Sequence, residues 1–150
     1  MLFALRARLG TSGCRPLGPD AGVAIVDDVV RYPDALATCA KTPGSARLVP
    51  GIFVVFEVLS PNSGWIDRIV KLRESRAVPT IRRYVIPEQD SFGLTVLERN
   101  SGDADWTASA LTAEDTLRMP EIGIEVPVTE LYQGVDLPDA AQQESDRRLT

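Results

Sequence analysis

The chain has 150 residues, 44% of them hydrophobic and 25% charged, with a net charge of −5 and no histidine. That length suits one globular domain, and no run approaches the roughly 18 apolar residues of a membrane span. With no His, and only Cys14 and Cys39, zinc sites built from His and Cys and Ser-His-Asp or Cys-His catalysis are excluded, so catalysis must use carboxylates, lysine, backbone groups or a bound metal.

Leu2, Leu5 and Leu9 recur at helical spacing and predict a helix over 2–9, ended by Gly10 and a Gly/Pro-rich segment to Pro19. Arg6 and Arg8 interrupt the start of any signal-peptide core, and Thr11-Ser12-Gly13-Cys14 matches a lipoprotein box only at its end. A cytoplasmic protein is expected, with Cys14 and Cys39 as free, small, buried side chains. Residues 22–26 read as a short strand, Asp27-Asp28 as a turn, and 31–39 as a second strand entered through Tyr32-Pro33. A loop follows over 41–51. Residues 52–59 are apolar almost without interruption and predict a central strand covered on both faces.

Ser60-Pro61-Asn62-Ser63 has turn and helix-cap chemistry. A helix over 65–76 then turns an apolar side made by Trp65, Ile66, Ile69, Val70 and Leu72, and Pro79 stops it. Strands over 82–86, 94–98 and 106–111 predict an antiparallel meander. Residues 122–126 read as a further short strand and 128–132 as a helical turn. The expected fold is α/β (α+β): one domain over 1–137 with a mixed central sheet and few flanking helices, then a polar tail over 138–150.

The net charge hides an asymmetry. Through Tyr84 there are 12 Lys and Arg against 7 Asp and Glu, and from Val85 onward 4 against 14. Arg68, Lys71, Arg73, Arg76, Arg82 and Arg83 crowd together, a cluster that can attract a polyanion or simply form a solvated helix face.

Glu57 demands an explanation, being the ionisable group inside the apolar run. With period 2 it shares a face with Phe53, Val55 and Leu59. A lone buried carboxylate costs several kcal/mol. Three readings stay open: metal ligand or acid/base, partner of a buried Arg, or a Glu whose neighbours happen to be solvated. Asp34, directly after Pro33, reaches the same cleft if its strand pairs with this one. Lys71 lies four residues after Asp67 on one helix face, as a surface pair or as a cation returned over the sheet by the strand–turn–helix path.

Tyr32-Pro33-Asp34, then Glu57-Val58-Leu59-Ser60-Pro61, Asp67 with Lys71, Ala77-Val78-Pro79 before Tyr84-Val85-Ile86, and the closing Leu131-Tyr132-Gln133-Gly134-Val135 follow one order. In this the chain resembles a bacterial restriction-endonuclease family, formerly a domain of unknown function, of the PD-(D/E)XK nuclease superfamily. The likeness runs over about 2–135. It implies a restriction-endonuclease-like core, Asp34 and Glu57 as metal-binding carboxylates, and Mg²⁺ (or Mn²⁺) as cofactor, with the Val58 carbonyl as a further ligand. The superfamily lysine usually stands two residues after the second carboxylate. That position is Leu59 here, and the resemblance puts Lys71 in its place, with Asp67 as a further ligand or a holder of Lys71.

The resemblance also implies that family members carry more chain before Met1, so that this sequence begins within the family's first helix. Ser75 stands where an aromatic residue is usual, and Trp65 where small polar residues are common. The function expected is Mg²⁺-dependent endonucleolytic hydrolysis of double-stranded DNA, with Arg68, Arg73 and Arg76 on the nucleic acid and a homodimer as one arrangement. The alternative is an inactive, truncated nuclease fold that binds nucleic acid or protein. No membrane contact and no nucleotide cofactor are expected.

Overall fold

The computed structural model describes residues 1–10, 12–26, 28–41, 43–59, 65–135 and Leu137, with the backbone alone for Asp67. The turn at Asp27, the cap segment Ser60-Pro61-Asn62-Ser63 and the tail 138–150 lie outside the described residues. Helix α1 (Leu2–Leu9) is followed by β1 (Arg15–Leu17), β2 (Val23–Ala24), β3 (Val30–Arg31), β4 (Ala35–Thr38) and β5 (Ile52–Phe56). After α2 (Trp65–Arg76) come β6 (Arg83–Pro87), β7 (Gly93–Glu98) and β8 (Thr107–Thr112). The described chain closes with β9 (Thr116–Met119), a 3₁₀ turn (Pro120–Ile122), β10 (Ile124–Pro127) and α3 (Val128–Leu131).

Six strands form one mixed sheet in the order β1-β4-β5-β6-β7-β8. β5 and β6 run parallel, an arrangement that needs a crossover, and α2 lies on it. β6, β7 and β8 are the expected antiparallel meander. Side-chain alternation divides the apolar residues between the two faces. Ala35, Ala37, Val54, Phe56, Val85 and Val96 pack with residues of α1, α3 and the β9–β10 hairpin. Leu36, Val55, Tyr84, Ile86 and Leu97 form a second cluster with Val23, Val49 and Ile81, against which Leu72 of α2 is partly buried.

The structure departs from the sequence expectations in five places. The strand expected over 31–39 is two, β3 and β4, separated by Tyr32-Pro33-Asp34, because Pro33 has no N–H to give to a ladder. β5 stops at Phe56, so Glu57 and Val58 lie just past the strand rather than within it. The edge strand β1 and strand β9 were hidden: Pro16 disguises the first, which pairs only with β4, and four residues are too few for the second to show its alternation. Cys14 and Cys39 are bonded, not free. Arg15 faces Thr38 across β1 and β4, and the next pair outward is Cys14 and Cys39, with Cα atoms 3.9 Å apart.

The fifth departure concerns α2. Trp65, Ile66, Ile69 and Val70 do not face the sheet: Trp65 is 70% and Ile66 66% exposed. The helix touches the domain through its second half, where Lys71, Leu72 and Glu74 are half-buried and Ser75 is buried.

Candidate functional site

The register of β4 against β5 pairs Ala35 with Phe56, so the next positions outward bring Asp34 opposite Glu57. Both follow the period-2 pattern onto the α2 side of the sheet. The Asp34 carboxylate accepts a 2.7 Å hydrogen bond from the Val58 N–H, which ties the start of β4 to the end of β5. Glu57 is itself fastened to the sheet, its N–H donating to the Val85 carbonyl at 3.0 Å. The crossover then returns α2 over this end of the sheet, and the Lys71 ammonium donates to Glu57 Oε1 at 3.1 Å. Both side chains are largely shielded, 26% exposed for Lys71 and 15% for Glu57.

A cleft of about 240 Å³ opens around this pair. Its floor is Val55, Ile81 and Tyr84, and its walls are the Arg31-Tyr32-Pro33 segment and Lys71, Glu74 and Ser75 of α2. Ser75 contributes a small side chain to that wall, leaving room that a ring at this position would take.

Two features hold α2 in place, and sequence reasoning missed both. Arg31 Nε and Nη2 donate to the two Glu74 oxygens at 2.5 and 2.7 Å, fastening β3 to the helix across the cleft. Glu74 lies one turn after Lys71, a spacing that could have flagged it as facing the same way. At the far end of the helix, Arg99 is buried and donates to the carbonyls of Ile81, Arg76, Gly102 and Val78 at 2.9, 3.1, 2.9 and 2.6 Å. Its guanidinium also lies 4.5 Å over the Trp106 ring. Burial, and then the nearby Arg82, lower its pKa against the opposing pull of Asp103. A lone Arg after a strand gives no signal of this kind.

The predicted basic cluster is divided by the fold. Arg83 is buried, bonded through Nε to Glu121 at 2.7 Å and through Nη1 to Glu98. Burial opposes its charge, but Glu121 and Glu98 outweigh that and raise its pKa. Arg68, Arg73 and Arg76 are exposed on α2, and none of them lines the cleft. The side chain of Asp67 lies outside what is described.

Among the described residues no three His, Cys, Asp or Glu side chains gather as a ready ligand cluster. What this end of the sheet offers a cation is the Asp34 and Glu57 carboxylates, which stand opposite each other. Such hard oxygen donors fit Mg²⁺, which usually takes one or two carboxylates and fills its remaining positions with water and substrate phosphate. Among the described residues, no helix is long and apolar enough to cross a membrane.

The comparisons agree with this architecture. The family Uma2, described as "Putative restriction endonuclease", matches residues 1–129. A crystal structure of a "putative nuclease belonging to DUF820 from Anabaena variabilis ATCC 29413" superposes with a TM-score of 0.64 at 11% identity, covering 88% of this chain and 75% of that one. At that identity the likeness shows the fold. No curated protein matches the chain. The chain belongs to the Uma2 restriction-endonuclease family, and it has a nuclease-like fold.

Proposed function

With that membership as the premise, we propose that the protein is a Mg²⁺-dependent endonuclease that hydrolyses DNA phosphodiester bonds at the Glu57–Lys71 cleft, with Asp34 opposite Glu57 just outside its lining. The observation that carries this reading is the Lys71–Glu57 contact of 3.1 Å at the strand end where Asp34 stands opposite Glu57. Asp34, Glu57 and the Val58 carbonyl would hold the cation. When bound, Mg²⁺ or Mn²⁺ lowers the pKa of a coordinated water and neutralises charge on the scissile phosphate. Glu57 holds Lys71 at the mouth of the cleft, where the ammonium orients the attacking water and stabilises the charge that develops on the phosphate oxygens. Asp34 fixes the Val58 peptide, and with it the direction of the Val58 carbonyl. The resemblance gives Asp67 a supporting role, as a further ligand or as a holder of Lys71.

Arg68, Arg73 and Arg76 present an exposed basic edge to the flanking backbone of a duplex, and a homodimer would let two clefts address two strands. The proposed compartment is the cytoplasm. The Cys14–Cys39 bond weighs against it, since structural disulfides persist mainly in oxidising compartments.

The test is calorimetric titration of the purified protein with Mg²⁺ and Mn²⁺, beside Glu57→Ala, followed by cleavage of supercoiled plasmid. Metal binding and nicking that both vanish in the variant support the reading. Cleavage that persists unchanged in Glu57→Ala sinks it. A well-folded wild type with no metal binding leaves the inactive binding module as the better account.

A further inference from the structure

The proposed reaction needs a grip on the phosphate beside the cleft, and the exposed arginines of α2 do not supply one there. Arg31 does line the cleft, together with Glu57 and Lys71. Its guanidinium is engaged edge-on, Nε and Nη2 each meeting one Glu74 oxygen at 2.5 and 2.7 Å. This fork is the shape in which Arg takes a phosphate bidentately, as it takes a carboxylate. The Arg31 side chain is 47% exposed and that of Glu74 19%, so solvent reaches the pair from the arginine's side.

We propose that Arg31 is a substrate-binding residue of this cleft, gripping a DNA phosphate next to the scissile one, and that Glu74 is the stand-in that keeps its fork aimed while the cleft is empty of DNA. This rests on the nuclease reading above. Binding then exchanges one bidentate partner for another: the Glu74 carboxylate gives way as the phosphate arrives. Arg31 is followed by Tyr32-Pro33-Asp34, so the segment that sets a metal-binding carboxylate also sets the arginine. Pro33 fixes the backbone between them.

A purely structural clasp makes a different prediction, because the two partners of a tether are equivalent. If the pair only ties β3 to α2, removing either side loosens the cleft alike. If Arg31 grips phosphate, the two substitutions act in opposite directions: Arg31→Ala removes the grip, and Glu74→Gln removes the competitor.

The experiment measures binding of a fluorescently labelled 20-base-pair duplex with Ca²⁺ in place of Mg²⁺ to slow cleavage, across a salt series. The expected result is about tenfold weaker binding in Arg31→Ala, as for loss of a hydrogen bond to a charged group. The slope of log K against log salt should also fall by about 0.9, one phosphate contact. Glu74→Gln, whose amide oxygen still accepts from Arg31 and so keeps α2 seated, should bind as tightly as wild type or tighter, and Arg31→Lys, which keeps the charge without the fork, should lie between. Mg²⁺ heats should stay unchanged in all three. Parallel losses in Arg31→Ala and Glu74→Gln, or no change in Arg31→Ala, overturn the proposal while leaving metal binding and the nuclease reading intact. A wild type without Mg²⁺ binding overturns that reading, and this proposal with it. Thermal melts of each variant separate a lost grip from a lost fold, and Arg31→Lys carries the test if Arg31→Ala melts early.

Discussion

Phe56 and Glu57 are neighbours in sequence and belong to opposite faces of the sheet. Phe56 is fully buried beneath α1, α3 and the β9–β10 hairpin, among apolar side chains. Glu57 faces a helix that covers only part of its side, and it meets a cation and open volume there. The same strand thus serves two ends. The sealed face provides the packing that holds the sheet rigid, and the half-covered face leaves ionisable groups where solvent and substrate can reach them. A charge at Phe56 would be intolerable, whereas at Glu57 it is stabilised by Lys71 and by partial solvation.

Substitutions can break this comparison from either side. The largest effect is expected for Glu57→Ala, which should lower cleavage on the order of 10²-fold or more by removing a proposed metal ligand. Its denaturation midpoint should move less than that of Phe56→Ala, since Glu57 contributes an ion pair but no apolar packing. Phe56→Ala should do the reverse, costing about 3–5 kcal/mol in chemical denaturation while the folded fraction cleaves normally. Activity loss without stability loss at position 56 would show that the faces are not separable. Arg99→Met should cost roughly 2 kcal/mol, because four carbonyls lose their donor. It should also weaken cleavage by releasing the C-terminal end of α2, so it touches both columns.

The smallest effect expected is a pH dependence on the sealed face. Burial raises the pKa of Tyr132 above its ordinary value of 10.0 and the Glu88 charge adds to the rise, which backbone hydrogen bonding at Gly93 and Glu88 opposes without reversing. A phenol whose folded pKa is raised contributes stability that is complete below the unfolded pKa and lost as pH climbs through the folded one. Stability should therefore decline above about pH 10, and urea titrations of Tyr132→Phe should lack that part of the decline.

The sealed face was the more legible of the two in the sequence. Its strands announce themselves through continuous apolar runs and a regular meander, and α1 through Leu2, Leu5 and Leu9. The two carboxylates were legible for a local reason: one stands after Pro33, the other interrupts an apolar run. The pairing of β4 with β5 is what turns those local oddities into one place, and a sequence pattern does not encode pairing partners. Arg31, Glu74 and Arg99 were invisible because, apart from the Arg99–Gly102 bond, they act through contacts 18 to 43 residues away in sequence. The burial of α2 failed for a related reason. Its apolar residues predicted an inward face, but which side of an amphipathic helix turns inward is decided by its anchors. Here Arg99 at its end and the Glu74–Arg31 and Lys71–Glu57 pairs turn the polar side toward the sheet, leaving Trp65 and Ile66 outside.

That orientation gives the protein two optical reporters at opposite ends of one helix. The chain has two tryptophans. Trp65 stands in solvent at the first residue of α2, and Trp106 lies under the Arg99 guanidinium that clasps the last. Emission from Trp65 should be red-shifted and open to collisional quenchers, and emission from Trp106 shielded from them. Single-tryptophan variants would let fluorescence follow the free end and the anchored end of α2 independently as the cleft fills.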